Sequence, residues 1–263
     1  MEENAVKVNP ELVRLKKRIT TRFHKACADY GLIEDGDKIL IGLSGGKDSL
    51  ALVELLGQRQ RIHKPRFSVI AAHVIVENIG YKSDDRYLQE FCREQGVEFR
   101  LIRTSYQEQD ITTTKSLPQS TNRKHKNHCF LCSWYRRKAL FDFAKEHGCN
   151  KLALGHHKDD IVETLLMNLI YQGAFATIPP QLRMDKFSMC LIRPLCLIKE
   201  IDLKRYSEMR EYKRMPKLCP FEKESSRAEV KLLVRELERF NPNALDSIWS
   251  AMENIKTGYL PVK

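Results

Sequence analysis

Ser44-Gly45-Gly46-Lys47-Asp48-Ser49 follows the apolar run Ile39-Leu40-Ile41 and precedes an amphipathic stretch that begins near Asp48. These residue types at this spacing suit phosphate chemistry. Two glycines let the backbone approach an anion closely, and the free N–H groups of a helix N-terminus point at it with the positive end of the dipole behind them. Lys47 adds a point charge. Asp48 is out of place in a simple anion site and suggests a magnesium ion or a protein-side partner. The spacing is neither that of the Walker loop nor that of the dinucleotide Gly-x-Gly-x-x-Gly turn. A second turn, Gly155-His156-His157-Lys158-Asp159-Asp160, follows the run Lys151 to Leu154. Its two carboxylates suit Mg²⁺ with ATP phosphates, or else complement the dipole of the helix they open.

The chain has eight cysteines. Cys27, Cys92, Cys149, Cys190 and Cys196 sit inside apolar or helical patterns and read as small core residues. Cys129, Cys132 and Cys219 do not. Cys129-Phe130-Leu131-Cys132 is expected at the N-terminus of a helix from about Ser133 to His147, a position that favours thiolate. Cys219 falls in a basic, proline-flanked turn, Lys213 to Pro220. Three thiolates fit a 4Fe–4S cluster with one iron open. With His125 or His128 they fit a structural zinc as well, and the spacing does not choose between the two.

A net charge of +11 suggests a polyanionic partner. From Ile111 to Phe141 there is no Asp or Glu, while Lys115, Arg123, Lys124, Lys126, Arg136, Arg137 and Lys138 all lie there. Ahead of Cys129 this window is polar and aperiodic, which predicts a long functional loop. The N-terminal helix carries Arg14, Lys16, Lys17, Arg18, Arg22 and Lys25 on one face, with almost no nearby acid. No apolar run approaches a membrane span and no signal peptide opens the chain, so a cytoplasmic protein is expected.

Several elements must position these groups. Asn9-Pro10 starts a helix running to about Tyr30. Strands are predicted at Lys38 to Gly42, Phe67 to Val76, Glu98 to Thr104, Lys151 to Gly155 and Met189 to Ile192. Helices are predicted at Asp48 to Gln58, Ser83 to Gln95, after His156 to about Tyr171, Ile198 to Glu211, Ser226 to Arg239 and Pro242 to Lys256. Pro179-Pro180 breaks the chain. Nearly continuous apolar strands alternating with helices indicate an α/β fold, a Rossmann-like parallel sheet with helices on both faces. Ligands then bind beyond the carboxyl ends of the strands, where Ser44 to Ser49 falls. His73, within the second strand, reads as a buried or pocket-edge residue. The expected divisions are a helical extension over 1–34, an ATP-binding domain over 35–197 and a helical region over 198–263.

Ser44 to Ser49, the Cys129–Cys132 pair, Gly155 to Asp160, Pro179-Pro180, Ile192-Arg193-Pro194-Leu195 and Ser250 to Ile255 occur in this order. Together they resemble the tRNA 2-thiocytidine synthetase (TtcA-type) group of the PP-loop ATP pyrophosphatase superfamily, over essentially the whole chain. The resemblance implies an adenine nucleotide alpha hydrolase-like fold that cleaves ATP to AMP and diphosphate. It implies adenylation of a cytidine in the tRNA anticodon loop, followed by sulfur transfer through a 4Fe–4S cluster on Cys129, Cys132 and Cys219. ATP would be held by Ser44, Gly45, Gly46, Lys47, Asp48, Ser49, Gly155 and Asp160, with Mg²⁺ on Asp48. Lys47, Asp48, Asp160 and Arg136 would act in catalysis. Lys17, Arg18, Arg123, Lys124, Lys126 and Arg137 would grip tRNA. A cysteine desulfurase or other sulfur donor and a second copy of the chain are the implied partners. Where this group commonly has a second Cys-x-x-Cys, the chain reads Pro216-Lys217-Leu218-Cys219. The alternatives are a 2-thiouridine synthase or lysidine synthetase type of enzyme, or an RNA-binding protein with structural zinc.

Overall fold

The computed structural model describes residues 9–77, 84–105, 123–184, 189–213 and 226–260, with backbone alone at 123–130 and 226–228. The chain forms two compact units, one of residues 1–157 with 180–222 and the other of 158–179 with 223–263. This differs from the expected boundaries at 34 and 197. The N-terminal helix joins the first unit because it packs there, and the chain crosses to the second unit at Lys158.

The first unit opens with α1 (Pro10–Asp29), capped by Asn9, whose side chain accepts the Glu11 N–H at 3.0 Å. Its apolar stripe, Leu15, Ile19, Phe23 and Ala26, is fully covered. Then come β1 (Lys38–Gly42), α2 (Lys47–Arg59), β2 (Ser68–Val76), α3 (Asp85–Gln95) and β3 (Glu98–Thr104). α4 (Arg123–Glu146) leads to β4 (Lys151–Ala153). After the excursion through the second unit, β5 (Gln181–Met184), β6 (Met189–Ile192) and a helix at Glu200–Met209 complete it. The six strands lie in the order β3-β2-β1-β4-β6-β5, all parallel except the edge strand β5. On one face Leu40, Ile70, Ala72 and Val74 pack with Leu140 and Ala144 of α4. On the other, Ile39, Ile41 and Ala71 are equally buried where α2 and α3 lie.

Strand order reverses between β1 and β4, which pair in parallel through Ile39–Lys151, Leu40–Leu152 and Ile41–Ala153. That is the switch point at which open α/β sheets leave a crevice at their carboxyl edge. A buried polar cluster pins the opposite edge. The Lys151 ammonium, 4% exposed, reaches Asp37 at 2.8 Å and Glu34 at 3.0 Å, and Asn150 bridges Asp37 to the Lys38 N–H.

The second unit contains α5 (Lys158–Gln172), α7 (Ser226–Phe240) and α8 (Ala244–Glu253), with α6 denoting the Glu200–Met209 helix of the first. Val162, Val234 and Leu245 form its core. Lys158 pairs with Asp246 and lies over the Trp249 ring.

Two elements depart from expectation. β5 was not foreseen, because four half-exposed residues on a sheet edge carry no apolar signature. α4 begins at Arg123 and not near Ser133, so Cys129 and Cys132 lie in its second and third turns, away from the helix terminus. The apolar period that betrays a helix is missing from its first turns, which are polar.

Candidate active site

β1 delivers the chain at Leu43, whose N–H donates to the Ala72 carbonyl at 2.9 Å. The Leu43 carbonyl accepts from Nδ1 of buried His73 at 2.7 Å. That bond fixes the ring's tautomer, and burial, helped by the charge of Arg136, keeps the imidazole pKa below its ordinary value. His73 therefore holds the start of the loop, as a neutral side chain.

The loop closes on itself. Gly45 takes φ +81°, a conformation that side-chain-bearing residues rarely adopt. Ser49 donates to the Gly46 carbonyl at 2.9 Å and shares a 3.0 Å hydrogen bond with Ser44, whose hydroxyl receives the Gly46 N–H at 3.3 Å. Gly46 is the N-cap of α2 and offers no capping side chain, so no cap side chain takes up the helix's first N–H groups. Gly155 seals the other side. A Cβ there would lie 3.2 Å from the Asp48 carbonyl carbon and the Ser49 nitrogen, so the turn after β4 touches the backbone of the loop.

Lys47 stands at this mouth with Asp48 at 3.0 Å and Glu200 at 3.3 Å. Burial works against its charge, but the two carboxylates outweigh burial and hold its pKa above the ordinary lysine value. Asp48 keeps its other oxygen, Oδ1, buried without a hydrogen-bond partner among the described residues. An oxygen in that state fits a hard cation such as Mg²⁺. Glu200 escaped the sequence reading, since an acid in the first turn of a helix looks like a dipole complement.

The helix bearing Glu200 is itself held by a buried carboxylate. Glu54 of α2, fully enclosed, accepts from Tyr206 at 2.7 Å, Tyr212 at 2.6 Å and Gln58 at 2.9 Å, with Arg210 at 3.4 Å. Burial raises its pKa, yet these donors and the charge of Arg210 bring it below the ordinary value.

Cys132 is half-buried and packs with Leu131 and Tyr135 against Val76, the last residue of β2. It thus lies at the carboxyl edge of the sheet, the edge that carries the loop after β1. Cys129 is three residues earlier on the same helix, a spacing that puts both on one face. Cys219 lies outside the described residues. Of the remaining cysteines, Cys92, Cys149, Cys190 and Cys196 are core residues and Cys27 is half-buried; burial pushes the thiols of Cys27, Cys92 and Cys196 up to about 12.

The other expected residues are scattered. Arg136 is half-buried beside His73. Asp160 opens α5 in the second unit, where its carbonyl accepts from Thr164. Arg18 is not a free surface cation: it and Arg22 both grip Asp202, at 2.6 and 2.8 Å. Asp202, the acid that balances Arg18 and Arg22, comes from a distant position, while Lys25 pairs locally with Asp29 at 2.7 Å. Lys17 stays exposed with no carboxylate in ion-pair range among the described residues. Arg137 is exposed on α4. Arg123, Lys124 and Lys126 lie in the first turn of α4, with side chains outside the described residues.

This arrangement can cradle a polyphosphate at β1 and present the Cys132 thiol along the same edge. The model of the PP-loop domain matches residues 15–216. A protein named tRNA-cytidine(32) 2-sulfurtransferase from Hahella chejuensis is 36% identical over 251 residues, covering 95% of this chain and 85% of its own. One of the same name from Alcanivorax borkumensis is 34% identical, covering 99% and 89%. Among solved structures, the U34-tRNA thiolase NcsA from Methanococcus maripaludis, with its 4Fe–4S cluster, superposes with a TM-score of 0.71 at 27% identity, covering 95% of this chain and 84% of that one. The chain belongs to the PP-loop family, within its tRNA 2-thiocytidine synthetase group.

Proposed function

We propose that the protein is an ATP-dependent tRNA thiolase that converts cytidine 32 to 2-thiocytidine, the reaction named for its relatives. The observation that carries this reading is the placement of the phosphate loop and of Cys132 along one edge of one sheet, with Lys47 held at the mouth of the loop.

The loop N–H groups from Gly45 onward receive the phosphates of ATP, and Lys47 leaves its carboxylate partners to meet their charge. Asp48, through Oδ1, holds the accompanying Mg²⁺. The O2 atom of the cytosine attacks the α-phosphorus, the bond to the β-phosphate oxygen breaks, and diphosphate leaves. Lys47 and Arg136 stabilise the charge that builds on the α-phosphate. A sulfide equivalent adds at C2, the C2–O bond breaks, and AMP departs with the oxygen. The base's carbonyl oxygen is a poor leaving group, and adenylation removes that obstacle. The Cys129–Cys132 pair, three residues apart on one helix face, fits two corners of a 4Fe–4S cluster, with Cys219 as the third ligand. When bound, that cluster supplies iron as a soft Lewis acid for sulfur. A cysteine desulfurase or another donor provides the sulfur, the chain works as a homodimer, and its place is the cytoplasm. Among the described residues no helix is long and apolar enough to cross a membrane.

The test is anaerobic incubation of the purified chain with ATP, Mg²⁺, sulfide and unmodified tRNA, then mass spectrometry of the nucleosides. 2-Thiocytidine is expected. Lysidine, or 2-thiouridine alone, would assign the chain to another member of the family.

A further inference from the structure

The solvent face of α4 holds a feature that the reaction itself does not use. Ser133, Trp134, Arg137 and Lys138 are exposed together, and Trp134 keeps 44% of its surface free. Single exposed apolar residues are ordinary, and several others are exposed on this chain; what sets Trp134 apart is the company it keeps. Arg137 and Lys138 follow Trp134 by three and four positions, so they share its face. The only hydrogen bond of the Arg137 guanidinium among the described residues goes to the Ser133 carbonyl, at 3.1 Å. Among the described residues Lys138 meets Asp142, itself exposed, at 2.6 Å, and such pairs open at little cost.

The indole is also held. Its ring meets Tyr135 edge-on, with centroids 4.8 Å apart at 77°. Tyr135 is in turn wedged against Val76 and Leu131. One aromatic plane thus stands in solvent, braced from beneath and flanked by two cations, on a stretch without a carboxylate from Ile111 to Phe141. Aromatic planes between cations are how proteins bind unpaired nucleotides: the base stacks and the cations meet the phosphates.

Direction then says which nucleotide. Trp134 follows Cys132 by two positions, about 200° around the helix. Cys132 faces the sheet edge and Trp134 faces away from it. The base that stacks there is not the base that reacts.

We propose that Trp134 is a stacking platform for an unpaired nucleotide of the RNA substrate, distinct from the nucleotide that is modified, with Arg137 and Lys138 on the flanking phosphates. This rests on the reading of the chain as a tRNA-modifying enzyme, and it names a contact by which that enzyme selects its loop.

The chain contains two tryptophans, and the other, Trp249, is 7% exposed. Fluorescence therefore reports Trp134 separately. Adding unmodified tRNA to the full chain should quench part of the emission and shield that part from acrylamide. In Trp134→Leu the remaining emission should ignore tRNA. The KM for tRNA should rise about tenfold, while kcat at saturating tRNA and the KM for ATP stay within about twofold. Trp134→Phe, which keeps a ring, should recover most of the loss. The proposal is overturned if tRNA held on a filter by the protein leaves Trp134 open to acrylamide, or if Trp134→Leu thiolates with unchanged KM for tRNA. Equal shielding by polyglutamate would overturn it too. If the unaltered chain thiolates no tRNA yet tRNA still shields Trp134, the proposed reaction fails and the platform stands.

Discussion

Lys47 Nζ and Glu200 Oε1 lie 3.3 Å apart, although 153 residues separate them in sequence. Asp48 sits on the other side of the same ammonium at 3.0 Å. Without nucleotide the lysine is tied at the mouth of the loop between two carboxylates. ATP phosphates must compete for it, and the tie keeps its ammonium within reach of them.

Removing each end of this tie should give different kinetics. Lys47→Ala removes a charge aimed at the phosphates and should lower kcat by about 10²-fold. Glu200→Gln leaves that charge but frees its position. It should lower kcat by roughly tenfold without raising the KM for ATP, because a competitor for the lysine is gone. Steady-state kinetics of diphosphate release separate the two. A higher KM for ATP with intact kcat in Glu200→Gln would contradict the assignment.

Gly155→Ala should impair ATP use and spare the fold. Its new Cβ would press on the Asp48 and Ser49 backbone at 3.2 Å, tighter than most real contacts. A displaced phosphate loop costs about 10²-fold for a shift of an ångström. Thermal unfolding close to that of the unaltered chain, with diphosphate release strongly reduced, is the expected pair of results.

Glu54 should govern stability in acid. Glu54→Ala leaves two tyrosine hydroxyls and Arg210 without their acceptor and should cost about 3 kcal/mol. In the folded chain Glu54 stays ionised below its ordinary value of 4.5. Its stabilisation is therefore complete above pH 4.5 and lost as pH falls through the lower, folded value. Urea unfolding across that range should show the loss in the unaltered chain and much less of it in Glu54→Gln.

The cysteines should divide into two groups. Cys129→Ala, Cys132→Ala and Cys219→Ala should each abolish iron–sulfur absorbance in anaerobically purified protein. Cys27→Ala, Cys92→Ala and Cys196→Ala should keep it, since burial leaves those thiols protonated near neutral pH. Iron content that survives Cys132→Ala would remove that residue from the ligand set.

What the sequence disclosed follows from where the information lies. Ile39 to Ile41, Ser68 to Val76 and the Ser44–Ser49 turn announce themselves, because an apolar run and a glycine turn are local signals. β3 was foreseen with both its ends. Glu54 and Glu200 could not be found that way. Each is a single acid in a helix, indistinguishable from a surface residue until Tyr206, Tyr212 or Lys47 arrives from far along the chain. The partner of Arg18 was out of reach for the same reason, Asp202 being 184 positions away. The start of α4 was hidden by its polar first turns, and with it the fact that Cys129 and Cys132 share a helix face.

ATP activation at Ser44–Ser49 and the cysteines are proposed to serve one reaction on tRNA. Mass spectrometry of tRNA nucleosides from cells lacking this protein tests it most directly. 2-Thiocytidine should disappear, and should return with the unaltered chain but not with Lys47→Ala or Cys132→Ala. Undiminished 2-thiocytidine in those cells, or rescue by Cys132→Ala, would contradict it.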